Sequence, residues 1–306
     1  MAYADFLIGI HELNEHLQDA EWRIVDCRFE LSQPDKGFSD YLDGHIPGAV
    51  YAHLDRDLAA PPASAGNGSG RHPLPAPEVF ARTLGHWGIS ELTPVTVYDQ
   101  AGGAIAARLW WMLRWMGHRS VRLLDGGIDA WRRAGLPLTT DVRDAPTAIY
   151  AGEPDDSLIV TTGEVLHGIT SGSRLILVDA RDAARFEGKT EPIDPVAGHI
   201  PAARNFPFST SLTADGCWRS GDELRRAWSN AFGREVAGST GHGRPGGAPP
   251  DDWAVMCGSG VTACHLALSA GLAGLPQPRL YVGSWSEWIR NPARPVATGP
   301  ADAERG

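Results

Sequence analysis

The chain has 306 residues, 42% of them hydrophobic and 21% charged, the balance of a folded globular protein, and its length suits two domains of ordinary size. A formal net charge of −10 with no lysine- or arginine-rich block argues against a nucleic-acid or anionic-membrane partner. No apolar run reaches the roughly 20 residues that span a bilayer, and the N-terminal MAYADFLIGI has neither a basic region nor a cleavage site, so a cytoplasmic protein is expected.

In chain order, short β-branched runs alternate with helical patterns. RIVDC (23–27) reads as a strand and is followed by Tyr41 and the block Gly44-His45-Ile46-Pro47-Gly48-Ala49. PPASAGNGSGRHP (61–73) is rich in glycine and proline and reads as a surface excursion. FARTLGHWG (80–88) has a helical pattern, VTVYD (95–99) a strand pattern, AIAARLWWMLRWMG (104–117) a helical one, and VRLLD (121–125) a strand pattern running into GGIDAW. Residues 139–156 read as an extended linker. The order then repeats: RLILVD (174–179), GHIPAA (198–203), the helical DELRRAWSNAFG (222–233), a second glycine–proline excursion at 237–250, WAVMC (253–257), TACHLALSAGLAG (262–274) and RLYVG (279–283). The tail from about Thr298 is expected to fray.

The two halves are copies at an offset of about 155 residues. Ile24-Val25-Asp26-Cys27-Arg28 matches Leu177-Val178-Asp179-Ala180-Arg181, His45 matches His199, Asp99 matches Cys257, and Trp131 matches Trp288. Strands alternating with helices imply α/β domains, each a mostly parallel sheet flanked by helices.

The most informative stretch is CGSGVTAC (257–264), where an apolar strand ends on a cysteine and a glycine loop leads into a helix. In sheets of this kind ligands bind outside the carboxyl ends of strands. Converging N–H groups and a helix N-terminus are expected to lower a thiol from its usual pKa of about 8.5 into roughly 3.5–7.5. The competing reading is a buried structural cysteine. Cys27, Cys217, Cys257 and Cys264 show no paired C-x-x-C spacing, so neither a structural zinc site nor any other metal is expected, and in a reducing compartment all four should be free thiols. No residue pattern calls for an organic cofactor.

With GHIPGA, LDGGIDAW, CGSGVTAC and GSWSEW in this order, the chain resembles the tandem-domain sulfurtransferases of the rhodanese family across residues 5–295. The resemblance implies two rhodanese-like domains: residues 1–140, inactive because Asp99 stands at the cysteine position; a linker at 141–156; residues 157–297, catalytic through Cys257; and a tail at 298–306. It implies an enzyme in which Cys257 holds the transferred sulfur as a persulfide. The amides of Gly258, Ser259, Gly260, Val261 and Thr262 are expected to cradle the sulfur and bind substrate. The hydroxyls of Ser259 and Thr262 have helix capping as their competing role.

The loop CGSGVTAC resembles that of the mercaptopyruvate-using members, so 3-mercaptopyruvate is the expected donor and thiosulfate the alternative. The acceptor would be a thiol, cyanide or a thioredoxin-like protein. Arg185 is implied as the substrate-anion anchor, against a surface pair with Asp182 or Glu187; Arg181 is expected to pair with Asp179. Ile193 stands where the pattern has a second arginine, with Lys189 or Arg204 as possible replacements, and Val282 stands where it has aspartate. His72 is a candidate relay to Ser259, with Asp57 behind it. His45 and His199 are expected to be structural, since His45 lies in the half without a nucleophile; Trp285 and Trp288 are expected to be core or cleft-wall aromatics. A cysteine-dependent phosphatase would need arginine six positions after the nucleophile, where this chain has Ala263. A non-catalytic, redox-sensing member of the family is the remaining reading.

Overall fold

The computed structural model describes residues 5–61, 68–142, 145–171, 175–232 and 252–301. The second glycine–proline excursion, 237–250, lies outside them. The chain divides into two units. The first holds the described residues within Met1–Pro61, Leu74–Asp156 and Leu212–Trp218, and the second those within Pro62–Pro73, Ser157–Ser211 and Arg219–Gly306. Each unit therefore takes a short segment from the other half of the sequence.

In the first unit the elements are β1 (Leu7–Ile8), α1 (Ile10–Glu15), β2 (Arg23–Asp26), α2 (Lys36–Asp43), β3 (Ala49–Tyr51), α3 (Leu54–Asp57), α4 (Pro77–His86), β4 (Val95–Tyr98), α5 (Ala106–Trp115), β5 (Val121–Leu124) and α6 (Gly127–Arg133). The sheet order is β1-β5-β4-β2-β3 and every pairing is parallel. Central β4 is buried at each position, as a strand covered on both faces must be. α5 is buried everywhere but Arg114, which explains its apolar residues on all sides. α4 begins at Pro77, earlier than the periodicity indicates, because proline is well suited to a first helical turn.

In the second unit follow α7 (Thr162–Ser171), β6 (Ile176–Asp179), α8 (Ala183–Phe186), β7 (Arg204–Asn205), α9 (Gly221–Phe232), β8 (Trp253–Met256), α10 (Thr262–Leu272), β9 (Arg279–Leu280) and α11 (Ser284–Trp288). Its parallel sheet runs β7-β6-β8-β9. Ile159 adds a single parallel bridge to Leu280, at the edge where the first unit has β1. The core gathers Leu177, Phe186, Ile200, Met256, Tyr281, Trp285 and Trp288. Both tryptophans are thus core residues, with indole N–H groups donating to the carbonyls of Val196 and Pro295.

The repeat extends to individual hydrogen bonds. Asp26 takes the guanidinium of Arg28 in a bidentate pair, and Arg28 Nη2 also donates to the Gly44 carbonyl at 2.9 Å. Asp179 and Arg181 repeat this, with Nη2 donating to Gly198 at 2.8 Å. His45 Nδ1 donates to the Tyr41 carbonyl and the ring stacks on Tyr41 at 3.9 Å. His199 Nδ1 donates to the Phe186 carbonyl and stacks on Phe186 at 3.7 Å. A carbonyl partner requires the proton on Nδ1; both histidines tie a helix to the following turn.

Among the described residues no helix is long and apolar enough to cross a membrane.

Candidate active site

β8 lies inside the second sheet, and its four residues are fully buried apolar side chains. Cys257 follows at its carboxyl end, itself only 2% exposed. The chain then turns through Gly258–Val261 into α10. Gly260 makes the turn: its φ is +77°, and a side chain there would meet the Val282 carbonyl at 2.4 Å, so glycine alone fits. The Gly260 N–H donates to Cys257 Sγ at 3.1 Å, and its carbonyl accepts from Cys264 Sγ at 3.3 Å. Thr262 is the first residue of α10; the cap position falls on Val261, without a side-chain cap.

The backbone of Cys257 is fixed from the start of α11. Ser284 Oγ accepts the Cys257 N–H at 3.1 Å, the Trp285 N–H donates to the Cys257 carbonyl at 3.0 Å, and the Ser286 N–H donates to the Gly258 carbonyl at 2.8 Å. Arg181, held by Asp179, stacks its guanidinium 4.7 Å above the Trp285 ring.

Ser259 and His72 are both buried, and Ser259 Oγ lies 2.8 Å from His72 Nδ1. Residues 68–73 are therefore no surface excursion along their whole length. Gly70 and His72 are buried, and the Arg71 N–H donates to Ser286 Oγ at 3.0 Å. Polar partners in the second unit satisfy the backbone that composition alone places in solvent. Asp57 belongs to the first unit, where its carboxylate accepts the His53 N–H at 2.7 Å and burial pushes its carboxyl up.

Arg185 projects from the end of α8. Its Nε and Nη2 contact Glu191 at 2.7–3.2 Å, and Nη2 also reaches Asp194 at 3.2 Å. Neither Asp182 nor Glu187 takes it. Burial favours the neutral Glu191 carboxyl, but hydrogen bonds from Arg185 and the Asp194 and Ile193 amides, with the Arg185 charge, bring it below the ordinary carboxylate range. On the far side of Asp194, Arg71 Nη1 donates at 2.7 Å. Gly258 sits beneath both cations: a side chain there would meet Arg71 Nη2 at 3.3 Å and Arg185 Nη2 at 3.7 Å.

Neither replacement considered for the arginine absent at 193 is at this site. Lys189 pairs with Glu187 at the surface, and Arg204 donates to the carbonyls of Ala231 and Phe232 at the end of α9. Arg71, Asp194, Ser284 and Ser286 escape the sequence reading. For Arg71 the available signal was its place beside His72; the serines are hidden inside a signature block.

At the position matching Cys257, Asp99 is bound by its own loop. Oδ1 accepts from the amides of Ala101 and Gly103, and Oδ2 from those of Ile105 and Ala106, all at 2.8–2.9 Å. Val282, matching Asp125, reflects a different use of the turn. Asp125 takes the Trp218 N–H from the 212–218 segment, whereas in the second unit Ser286 takes the Arg71 N–H.

A family model described as "Rhodanese-like domain" matches residues 10–134 and 161–291. A Pseudomonas aeruginosa protein named "Probable 3-mercaptopyruvate sulfurtransferase" is 43% identical over 294 residues, covering 96% of this chain and 98% of its own. A Gallus gallus thiosulfate sulfurtransferase is 33% identical over 271 residues, 87% of this chain and 86% of its own. The crystal structure of a 3-mercaptopyruvate sulfotransferase from Escherichia coli superposes with a TM-score of 0.75 at 31% identity, covering 92% of this chain and 99% of that one. Sequence, repeat and fold agree: the chain belongs to the rhodanese family and carries its domain twice.

Proposed function

We propose that this protein is a sulfurtransferase that takes sulfur from 3-mercaptopyruvate onto Cys257 and passes it to a thiol or cyanide. The observation that carries this is the environment of one sulfur atom. Cys257 Sγ accepts the Gly260 N–H at the end of β8, and the buried Ser259–His72 pair follows two residues later.

The Cys257 thiolate attacks the donor sulfur. An S–S bond forms as the C–S bond breaks, and that electron pair goes to the methylene carbon as the enolate of pyruvate. The donor's thiol proton leaves to a base, and a proton delivered to carbon completes pyruvate; we assign these proton movements to the Ser259–His72 pair, whose 2.8 Å contact supports the assignment. The acceptor, a small thiol, cyanide or a thioredoxin-like protein, then attacks the outer sulfur and releases the Cys257 thiolate. The fixed Gly260 dipole favours negative charge on sulfur at both stages. Asp99 offers no sulfur and already fills its own loop, so one site per chain turns over.

The other thiols are poor competitors. Burial, then the carboxylates of Asp26, Asp99 and Asp57, push Cys27 well above the ordinary thiol range. Burial, then Asp125 and Asp215, push Cys217 up to about 11. All four cysteines are free, which suits a reducing, cytoplasmic compartment.

Kinetics with 3-mercaptopyruvate and thiosulfate side by side, with Cys257→Ser as control, test the reading. The expected outcome is a preference for mercaptopyruvate and a mass increment of one sulfur confined to Cys257. A large thiosulfate preference would overturn the donor assignment. Absence of any added sulfur would leave a redox-sensing role for Cys257.

A further inference from the structure

We infer that Arg71 is the second anion-binding cation of this site and fixes its donor specificity, a reading that rests on the reaction proposed above. Arg185 has two of its nitrogens engaged by Glu191 and Asp194 at 2.7–3.2 Å. Arg71 is committed less: Nη1 goes to Asp194 at 2.7 Å, Nε is buried without a hydrogen-bond partner, and Nη2 lies over Gly258, 3.3 Å from where a side chain would begin. A buried guanidinium N–H without an acceptor is costly, and an incoming carboxylate that takes it removes that cost.

The geometry confines such an anion. Asp194, with its side chain only 3% exposed, bridges the two guanidinium groups and sets their spacing. The absent side chain at 258 leaves the space below them open, one residue from the nucleophile. Arg71 is itself anchored by its N–H on Ser286 Oγ, and Ser286 in turn holds the Gly258 carbonyl, so the cation and the loop share one frame. The four charged side chains Arg71, Arg185, Glu191 and Asp194 sum to zero before substrate arrives. The site thus selects by directed N–H donors rather than by net positive potential, which favours a planar carboxylate with two acceptor oxygens. A 2-oxo acid carrying sulfur on its third carbon has that shape.

The test compares wild type, Arg71→Gln and Arg71→Lys. Steady-state kinetics with 3-mercaptopyruvate give KM and kcat. Calorimetric titration with 3-hydroxypyruvate, which has the same carboxylate but no sulfur to give, reads binding without chemistry. The alkylation rate of Cys257 by uncharged iodoacetamide reads the integrity of the loop. For Arg71→Gln we expect KM and the hydroxypyruvate Kd to rise tenfold or more, with kcat and the iodoacetamide rate within about threefold of wild type. Arg71→Lys should recover part of the binding. An unchanged Kd in Arg71→Gln, or an iodoacetamide rate that falls as far as binding does, would overturn the assignment, the latter by showing a merely structural residue. Failure of wild type to bind hydroxypyruvate would also overturn it. If wild type binds hydroxypyruvate through Arg71 but gains no sulfur from mercaptopyruvate, the clamp stands and the proposed reaction falls.

Discussion

The hydroxyl of Ser284 holds the backbone N–H of Cys257 at 3.1 Å while donating its own proton to the Tyr281 carbonyl at 2.8 Å. It does so from φ +53°, a conformation that costs a non-glycine residue about 1–2 kcal/mol. The matching residue of the first half is Gly127, at φ +55°. A serine is strained here, and its hydroxyl fixes the strand end that carries Cys257. Ser284→Ala keeps the strain and loses the hydrogen bonds, so a stability loss of about 1–3 kcal/mol is expected. Ser284→Gly loses the bonds but relieves the strain, and should fall between wild type and Ala. Denaturant midpoints check this order; Ala equal to or more stable than Gly would contradict it.

Gly260 permits no side chain, since the Val282 carbonyl lies 2.4 Å from where one would begin. Gly260→Ala should separate the loop from the β9–α11 turn and draw the Gly260 N–H away from Sγ. We expect sulfur loading of Cys257 to slow at least tenfold, with about 1–3 kcal/mol of stability lost. Mass spectrometry of a loading time course, beside a melting curve, measures both.

In the proposed reaction the Ser259–His72 pair moves protons. Ser259→Ala and His72→Asn should therefore lower kcat with mercaptopyruvate by about 10²-fold or more. The binding of hydroxypyruvate should change little. Wild-type turnover in both variants at every pH would remove the relay from the mechanism.

Glu191 gives a pH signature. Its carboxyl sits below the ordinary value of 4.5 because Arg185 and two amides outweigh the effect of burial. A depressed native pKa means the unfolded state binds the proton more readily, so the contribution to stability is complete above about pH 4.5 and is lost as pH falls through the native value. Glu191→Gln should be less stable than wild type at pH 7, and the gap should narrow below pH 4.5. Denaturant titrations at pH 7, 5 and 3.5 test this; a gap that widens in acid would reverse the sign.

Much of this was legible in the sequence because the chain states its plan twice. The Asp–Arg pairs at 26/28 and 179/181 and the histidines at 45 and 199 recur in register, and a residue kept in both copies is explained by the fold before the chemistry. Cys257 stood out because it ends an apolar strand ahead of a glycine loop and a helix, and Asp99 at the matching position set the first half apart. The contacts of Arg71 were not legible. They join residues 71, 194, 258 and 286, and no local pattern encodes which surface a glycine–proline segment will pack against. Composition marked residues 61–73 as irregular, as the described residues 68–73 are, and gave no sign that Gly70 and His72 would be buried.

The exchanged segments bear on how such a protein arises and can be divided. A stretch of gene running from Ser157 to the end would encode Cys257, its loop and Arg185, yet omit Arg71 and His72. Its partner fragment would omit Trp218, whose amide meets Asp125. Once a duplicated domain has exchanged such segments, neither half of the sequence carries every contact of its own unit.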